Sequence, residues 1–290
     1  MKILVPVDFS DLSKKALQVA NSFAELINAS ITPFHSHIPI SEMDEPYALG
    51  MSSQVYQDFE EIEKNLYERL TLFSKEQTDN SRLNDPIISM GNPAQSIIDE
   101  SENYDFVVMS THGRTGFTRF LLGSVAEKVL RLSHTPVLVV EDESNVESFK
   151  KILVTTDFSD NSAVAFPYAI NIAEKAKADI DLLHVLSYDK MDDQSDDKSI
   201  KRIREDRLKL VEKEHFGAFK GKVNRKLITS PSSPHEAIFK HVKENPYNLI
   251  VMSTVGRTGI NYLMMGSTTA NLIRHVKTAV LSVNPRENND

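Results

Sequence analysis

"KILVPVDFSD" at Lys2–Asp11 returns as "KILVTTDFSD" at Lys151–Asp160, with eight of ten positions identical. Each copy is a short apolar run followed by Asp and Ser, the side chains that cap the first turn of a helix. The pattern predicts a buried strand that leads into a helix. Its return at residue 151 indicates that the chain consists of two similar halves.

Two further landmarks recur in the same order in both halves. "VMSTHGRTG" at Val108–Gly116 matches "VMSTVGRTG" at Val251–Gly259 at eight of nine positions, and "TPVLVV" later corresponds to "TAVLSV". A chain of 290 residues is long enough for two domains, at roughly 100–200 residues per domain. We expect a first domain over 1–141, a polar linker over 142–150 and a second domain over 151–290.

Short apolar runs alternate with helical periodicity throughout both halves. In the first half, strands are expected at Ile3–Val7, Ser30–His35, Pro86–Met90, Phe106–Ser110 and Val137–Val140, and helices near 12–27, 53–79, 93–102 and 124–133. In the second half, strands are expected near 152–156, 179–185, 223–229, 248–253 and 280–283. This alternation predicts an α/β fold with a mostly parallel sheet covered by helices on both faces.

Ligands of such sheets lie outside the carboxyl ends of the strands. Asp8 and Asp157 follow the first strand of each half, and the glycine-containing segments follow the fourth. We therefore expect one ligand crevice in each half, where these two landmarks meet.

Composition excludes several classes of function. The net charge of −8 argues against a nucleic-acid binder, because such proteins rely on clustered Lys and Arg. The sequence contains no cysteine, so disulfides and thiol chemistry are excluded. No apolar run is long enough for a secretory core or a membrane span, and we expect a cytoplasmic protein with no membrane partner.

The segments "STHGRTGFTRFLLGS" (Ser110–Ser124) and "STVGRTGINYLMMGS" (Ser253–Ser267) share a glycine, nine residues, a second glycine and a serine. Glycine lets backbone amides approach an anion, and a helix N-terminus attracts phosphate. The same glycines could instead turn the chain and allow close packing of a helix on the sheet. The duplicated spacing favours an anion site. Arg114 and Arg257, within these segments, are interpreted as solvated more readily than as ligand-binding.

"VPVDFSD", "MSTHGRTGFTRFLLGSVAEKVLR" and "TPVLVV" together resemble the universal stress protein family, and the whole chain resembles a tandem two-domain member. The resemblance implies a five-stranded parallel sheet of order 3-2-1-4-5 in each half. It also implies ATP as ligand, held by a G-2x-G-9x-G-[S/T] motif, with Mg²⁺ as an accompanying ion.

The resemblance assigns site residues in both halves. The implied phosphate contacts are Gly113, Gly123, Ser124 and Val125 in the first half and Gly256, Gly266, Ser267 and Thr268 in the second. The implied base pocket contains Val7, Asp8, Ser36 and Met109 in the first half and Thr156, Asp157, Val185 and Met252 in the second. Ser110 and Ser253 replace the first glycine of the motif, where a side chain either clashes with the ligand or donates a hydrogen bond to it. We expect accommodation.

Three functions fit these residues. The first is an ATP-binding regulatory protein of the stress response, the second a slow ATPase, and the third a nucleotide-free scaffold or chaperone-like protein of the same fold. His35 and His184 are interpreted as structural histidines. For partners, we expect the two halves to form an intramolecular pseudo-dimer through their fifth strands, with a homodimer as a further option.

Overall fold

Each half of the chain alternates strands and helices. The structure, a computed structural model, describes residues 1–37, 53–113, 122–144, 149–188, 197–256 and 266–285. The first half contains β1 (Lys2–Pro6), α1 (Asp11–Ile27), β2 (Ser30–His37), α2 (Ser53–Lys75), β3 (Ile87–Met90), α3 (Pro93–Ser101), β4 (Phe106–Ser110), α4 (Ser124–Leu132) and β5 (Val137–Val140). The second half contains β6 (Lys151–Thr155), α5 (Asp160–Ala163), α6 (Phe166–Ala176), β7 (Asp179–Ser187), α7 (Asp197–His215), β8 (Val223–Ser230), α8 (Pro234–Glu244), β9 (Leu249–Ser253), α9 (Ser267–His275) and β10 (Ala279–Val283).

The ten strands of the described residues form one sheet, in the order β3-β2-β1-β4-β5-β10-β9-β6-β7-β8. Within each half the neighbouring strands are parallel. Read from the outer edge inward, each half has the order 3-2-1-4-5. The predicted α/β fold class and strand order are therefore confirmed.

The two fifth strands lie side by side at the centre of the sheet. β5 and β10 pair antiparallel, and Leu138 lies opposite Leu281, its equivalent in the other half. The pairing is therefore symmetric about these two residues, as in an isologous contact between two copies of one surface. Because the strands of the two halves run in opposite directions, their carboxyl ends face opposite edges of the sheet.

The core consists of one layer of apolar side chains on each face of the sheet. In β1, Ile3 and Val5 belong to one layer and Leu4 to the other, as expected for side chains that alternate along a strand. Each layer contains residues of both halves. The interior is therefore continuous across the central strand pair.

The segment between the halves contacts both of them. Phe149 is buried and lies 5.7 Å from Phe23 of α1, measured between ring centroids. Ser144 is buried too, and its hydroxyl donates to the carbonyl of Lys277 at 3.3 Å. These contacts hold the described ends of the connection against the sheet.

The helix after the first strand differs between the halves. α1 runs unbroken for 17 residues, whereas the corresponding part of the second half divides into α5 and α6. Pro167, in the first turn of α6, has no backbone N–H and cannot continue an earlier helix. Across the described part of the chain, no helix combines the length and apolarity needed to span a bilayer.

Candidate functional site

A cavity of about 300 Å³ opens at the carboxyl ends of β1, β2 and β4 and at the first turns of α3 and α4. We call it the first cavity. The structure brings to its wall all nine site residues that the sequence predicts for the first half. They are Val7, Asp8, Ser36, Met109, Ser110, Gly113, Gly123, Ser124 and Val125.

A second cavity, of about 220 Å³, occupies the equivalent place in the second half. All nine residues predicted for this half line it. They are Thr156, Asp157, Val185, Met252, Ser253, Gly256, Gly266, Ser267 and Thr268. Arg114 and Arg257 lie outside the described residues.

Sequence reasoning missed the apolar residues that the third helix of each half contributes. Pro93 and Ile97 of α3 line the first cavity, and Pro234 and Ile238 of α8 line the second. Their position in the sequence could have indicated them. Each proline begins the helix that follows the third strand of its half, at the edge of the sheet where ligands lie.

His35 and His184 also line the cavities. The Nδ1 of His35 lies 2.6 Å from the carbonyl oxygen of Val7, and that of His184 lies 2.8 Å from the carbonyl oxygen of Thr156. Since a carbonyl only accepts, each Nδ1 is the donor. These bonds fix the backbone just before each aspartate, which agrees with the interpretation of both residues as structural.

Asp8 is oriented by the helix that follows it. Its Oδ1 accepts from the backbone N–H of Ser10 at 3.1 Å and from the Ser10 hydroxyl at 2.6 Å. The Ser10 hydroxyl oxygen in turn accepts from the N–H of Ser13 and caps α1. Asp157 makes the same two bonds with Ser159, at 3.0 and 2.5 Å. In both halves the helix cap thus fixes the carboxylate at the cavity wall.

Gly113 and Gly256 make room for this carboxylate. A methyl group on the Cα of Gly113 would lie 2.6 Å from Oδ2 of Asp8, and one on Gly256 would lie 2.7 Å from Oδ2 of Asp157. Contacts this short cannot form without displacing the carboxylate. Glycine is therefore needed here for close approach to the aspartate.

Gly123 and Gly266 each dock a helix on the end of a strand. The N–H of Gly123 donates to the carbonyl of Thr111 at 2.8 Å, and a methyl group on its Cα would lie 3.0 Å from that oxygen. The N–H of Gly266 likewise donates to the carbonyl of Thr254 at 2.7 Å, and a methyl group on the Cα of Gly266 would lie 2.9 Å from that oxygen. The φ of Gly123 is −61°, which any residue adopts, so space rather than backbone freedom requires glycine. The close-packing interpretation of these glycines thus has a structural basis beside the anion interpretation.

The helices that begin at these glycines have no side-chain caps. α4 starts after Gly123 and α9 after Gly266, and in neither helix does an N-cap side chain accept a hydrogen bond from a first-turn N–H. By contrast, Ser10 caps α1 and Asn92 caps α3 through their side-chain oxygens. Within the described part of the chain, the first-turn amides of α4 and α9 thus have no N-cap side chain as acceptor, and the dipole of a helix favours an anion at such an end.

The serines that replace the first glycine of the family motif bond to their own loops. The hydroxyl of Ser110 donates to the carbonyl of His112 at 2.9 Å. The hydroxyl oxygen of Ser253 accepts from the N–H of Val255 at 3.2 Å. Both hydroxyls thus stabilise the turn that leads to the motif glycine, an arrangement that neither of the two sequence-based alternatives included.

The two cavities differ at the end of the fifth strand. In the first half, Nδ1 of His112 lies 2.8 Å from the Thr111 hydroxyl, which also hydrogen-bonds Glu141. Burial raises the pKa of the Glu141 carboxyl above its ordinary value, while the Thr111 hydrogen bond and the nearby His112 oppose the rise. The first cavity is therefore flanked by an acid and an imidazole.

The second half has uncharged side chains at the same places. Val255 stands where the first half has His112, and Asn284 where it has Glu141. The hydroxyl of Thr254 donates to Asn284 Oδ1 at 2.9 Å, and Asn284 Nδ2 donates to the carbonyl of Arg131 in the first half at 2.9 Å. This corner of the second half therefore serves the contact between halves.

The fold and the paired cavities define a tandem α/β protein with one crevice per half. The model of the Universal stress protein family matches residues 1–141 and 148–284. The chain therefore belongs to the universal stress protein family and is a tandem, two-domain stress-response protein.

Individual relatives agree with this assignment. A universal stress protein of Methanocaldococcus jannaschii is 32% identical over 156 residues, which cover 50% of this chain and 96% of that protein. The stress response protein NhaX of Bacillus subtilis is 30% identical over 165 residues, 48% of this chain and 97% of NhaX. The crystal structure of a universal stress protein from Archaeoglobus fulgidus is 26% identical, covers 99% of this chain and 97% of its own, and has a TM-score of 0.68.

Proposed function

We propose that this protein is an ATP-binding regulator of the stress response that holds one nucleotide in each cavity. The observation that carries the proposal is the geometry shared by both cavities. A fixed carboxylate after the first strand faces, across one cavity, a helix N-terminus without a side-chain cap. Such a pair suits a ligand with a hydrogen-bonding base at one end and phosphates at the other.

The carboxylate end of each cavity is proposed to bind adenine. Asp8 lines the first cavity and its hydrogen bonds to Ser10 fix its carboxylate there, so we assign it the role of base acceptor. Val7, Ser36 and Met109 would surround the base in the first half. Thr156, Val185 and Met252 would do so around Asp157 in the second.

The helix end of each cavity is proposed to bind phosphate. The amides of Ser124 and Val125 and the Ser124 hydroxyl would donate in the first half, beside Gly123. Ser267, Thr268 and Gly266 correspond in the second half. The described residues contain no group of three or more His, Cys, Asp or Glu that could hold a metal ion. We propose that the Mg²⁺ that accompanies ATP is held by the phosphates.

The organisation of the chain is part of the proposal. We take residues 1–141 and 151–290 as the two domains, joined by 142–150, and the β5–β10 pair as the centre of an intramolecular pseudo-dimer. The symmetric register around Leu138 and Leu281 supports this arrangement. We assign the protein to the cytoplasm on the basis of its cysteine-free composition.

The direct test is to denature the purified protein and identify any released nucleotide by chromatography, then to incubate nucleotide-free protein with millimolar ATP and repeat the measurement. We expect an adenine nucleotide to be bound and recovered as ATP. Recovery as ADP at a rate proportional to protein concentration would support the slow ATPase instead. Protein that retains no nucleotide under either condition would contradict the proposal and favour the nucleotide-free scaffold.

A further inference from the structure

The turn between β1 and α1 contains a phenylalanine in a left-handed backbone conformation, and so does its equivalent in the second half. The φ of Phe9 is 63° and that of Phe158 is 67°. Bulky residues rarely adopt this conformation, and they keep it where surrounding contacts hold them, often at ligand-binding sites. Each phenylalanine directly follows the aspartate of its cavity. The contacts that hold the ring therefore bear on the position of that carboxylate.

In the first half, a histidine supports the backbone on one side of the aspartate and the ring on the other. The N–H of Val7 donates to the carbonyl of Phe34 at 2.8 Å, and the carbonyl of Val7 accepts from Nδ1 of His35 at 2.6 Å. The imidazole of His35 also contacts the Phe9 ring, with 4.9 Å between centroids. Asp8 is thus placed between a fixed peptide and a fixed ring.

The second half repeats these contacts with other neighbours. The N–H of Thr156 donates to Leu183 at 2.9 Å, and its carbonyl accepts from Nδ1 of His184 at 2.8 Å. The rings of His184 and Phe158 are 4.0 Å apart. The turn is therefore supported in the same way in two halves whose surrounding sequences differ.

An arginine from the outer helix covers the ring in both halves. The guanidinium carbon of Arg69 in α2 lies 4.2 Å from the centroid of Phe9, and that of Arg207 in α7 lies 5.3 Å from the centroid of Phe158. Both distances lie within the range of a cation–π contact. Arg207 also donates to the carbonyl of Phe158 at 3.4 Å. The helices share little sequence beyond this point, where "ERLTLF" corresponds to "DRLKLV".

We propose, on the basis of the ATP-binding function proposed above, that Phe9 and Phe158 are positioning residues for Asp8 and Asp157. We further propose that Arg69 and Arg207 couple each cavity to its outer helix. In this account, a nucleotide that binds the aspartate stabilises α2 or α7. We refer to Phe9, His35 and Arg69 as the first ring stack, and to Phe158, His184 and Arg207 as the second.

The coupling follows from the energetics of the turn. When the ring leaves its place, the turn relaxes toward negative φ and carries the carboxylate out of the binding position. The apparent affinity then falls by the fraction of molecules that remain competent. By linkage, a ligand that binds only the competent turn favours the ring stack, and with it the end of the helix that supplies the arginine.

The test combines calorimetry with hydrogen exchange of the backbone amides of α2. Affinity for ATP at the first cavity is measured in full-length chains whose second cavity carries Asp157→Ala. Arg69→Ala should raise Kd about two- to fivefold, the range of an exposed cation–π contact, and Arg69→Lys should restore most of the affinity. Phe9→Gly keeps the left-handed backbone accessible but removes the ring, and should weaken binding about tenfold. Arg82→Ala is the matched control, because Arg82 donates a hydrogen bond to Asn28. This variant should bind ATP as tightly as the parent does.

The exchange measurement separates coupling from a purely structural role. Saturating ATP should slow exchange over Arg69–Lys75 in the parent and in Arg82→Ala, but not in Arg69→Ala. If ATP binds the parent while Arg69→Ala shows unchanged Kd and the same protection of α2, the inference is wrong and the proposed function stands. If the unmodified protein binds no ATP, both fail together. Because Arg69 is exposed, its replacement leaves the fold intact. The Arg69 variants therefore decide the test even if Phe9→Gly unfolds the protein.

Discussion

Single residues at the end of the fifth strand make the two halves chemically unequal. Glu141 lies beside Thr111 and His112 at the first cavity, whereas Asn284 at the same place in the second half binds across to the carbonyl of Arg131. The amide of Asn284 forms its hydrogen bonds at this partly buried position without burying a charge. A carboxylate there must be desolvated, which is why its pKa is raised.

Glu141→Gln should therefore stabilise the protein at neutral pH. A carboxyl whose pKa is higher in the folded state costs stability when it is ionised, and the cost disappears once the pH falls below its unfolded value, about 4.3. We expect Tm to rise by about 1–3 °C at pH 7 and to be unchanged near pH 3.5. Glu143→Gln, at an exposed residue that pairs with Lys277, is the control and should give no such gain. A loss of stability at pH 7 in Glu141→Gln would show that the charge is needed.

The role of the repeated glycines can be predicted from the sequence only in part. The repeated spacing predicts that Gly113, Gly123 and their equivalents are site residues, and in the structure all four line the cavities. The sequence does not reveal that the neighbour of Gly113 is the Asp8 carboxylate, because the two residues are far apart along the chain. The contact forms only when β1 and β4 pair.

Among the elements, α4 and α9 combine two tasks. Their N-terminal glycines dock each helix against the carbonyl at the end of a strand, and their first-turn amides face a cavity. Docking needs a residue without a side chain at the cap, and that same residue cannot supply a capping hydrogen bond. Close packing and an open N-terminus are therefore two results of one glycine.

Two substitutions separate these tasks. Gly123→Ala places a methyl group 3.0 Å from the Thr111 carbonyl oxygen, so the helix must shift, and both Tm and ATP affinity should fall. Ser124→Ala removes only a hydroxyl, so affinity should fall about two- to tenfold with little change in Tm. Thermal unfolding and calorimetry measure the two effects, and Gly266→Ala and Ser267→Ala are the matched pair in the second half. An alanine at 123 that changed neither quantity would contradict the docking role.

Most elements follow from the sequence to within about two residues at their ends. β4 and β5 begin and end as predicted, and α2 ends at Lys75 rather than near residue 79. The division of this region into α5 and α6 is not evident from the sequence. The apolar pattern carries little information there, because a helix broken at Pro167 and an unbroken one bury nearly the same face.

At the scale of the whole molecule, duplication produces two separated cavities. The antiparallel pairing of β5 and β10 turns one half around relative to the other, so the cavities open at opposite edges of the sheet. One ligand cannot bridge them. Near the centre of the sheet, Asn284 donates a hydrogen bond to the carbonyl of Arg131 at 2.9 Å, and Arg274 forms an ion pair with Glu127 at 3.6 Å. These contacts join the two halves. Repetition in the sequence predicted the two units, whereas the contacts between them follow from residues that the units do not share.

Titration of the nucleotide-free protein with ATP tests the central claim most directly, because the claim is one nucleotide per half. Calorimetry should give about two ATP per chain, about one in Asp8→Ala and in Asp157→Ala, and none in the double variant. Each lost bond to a carboxylate weakens its site roughly ten- to a hundredfold, which takes that site out of the concentration range in which the parent is saturated. Unchanged Tm in each single variant would show that the fold is intact. Two sites that persist at full affinity in the double variant, or no binding by the unmodified chain, would contradict the account.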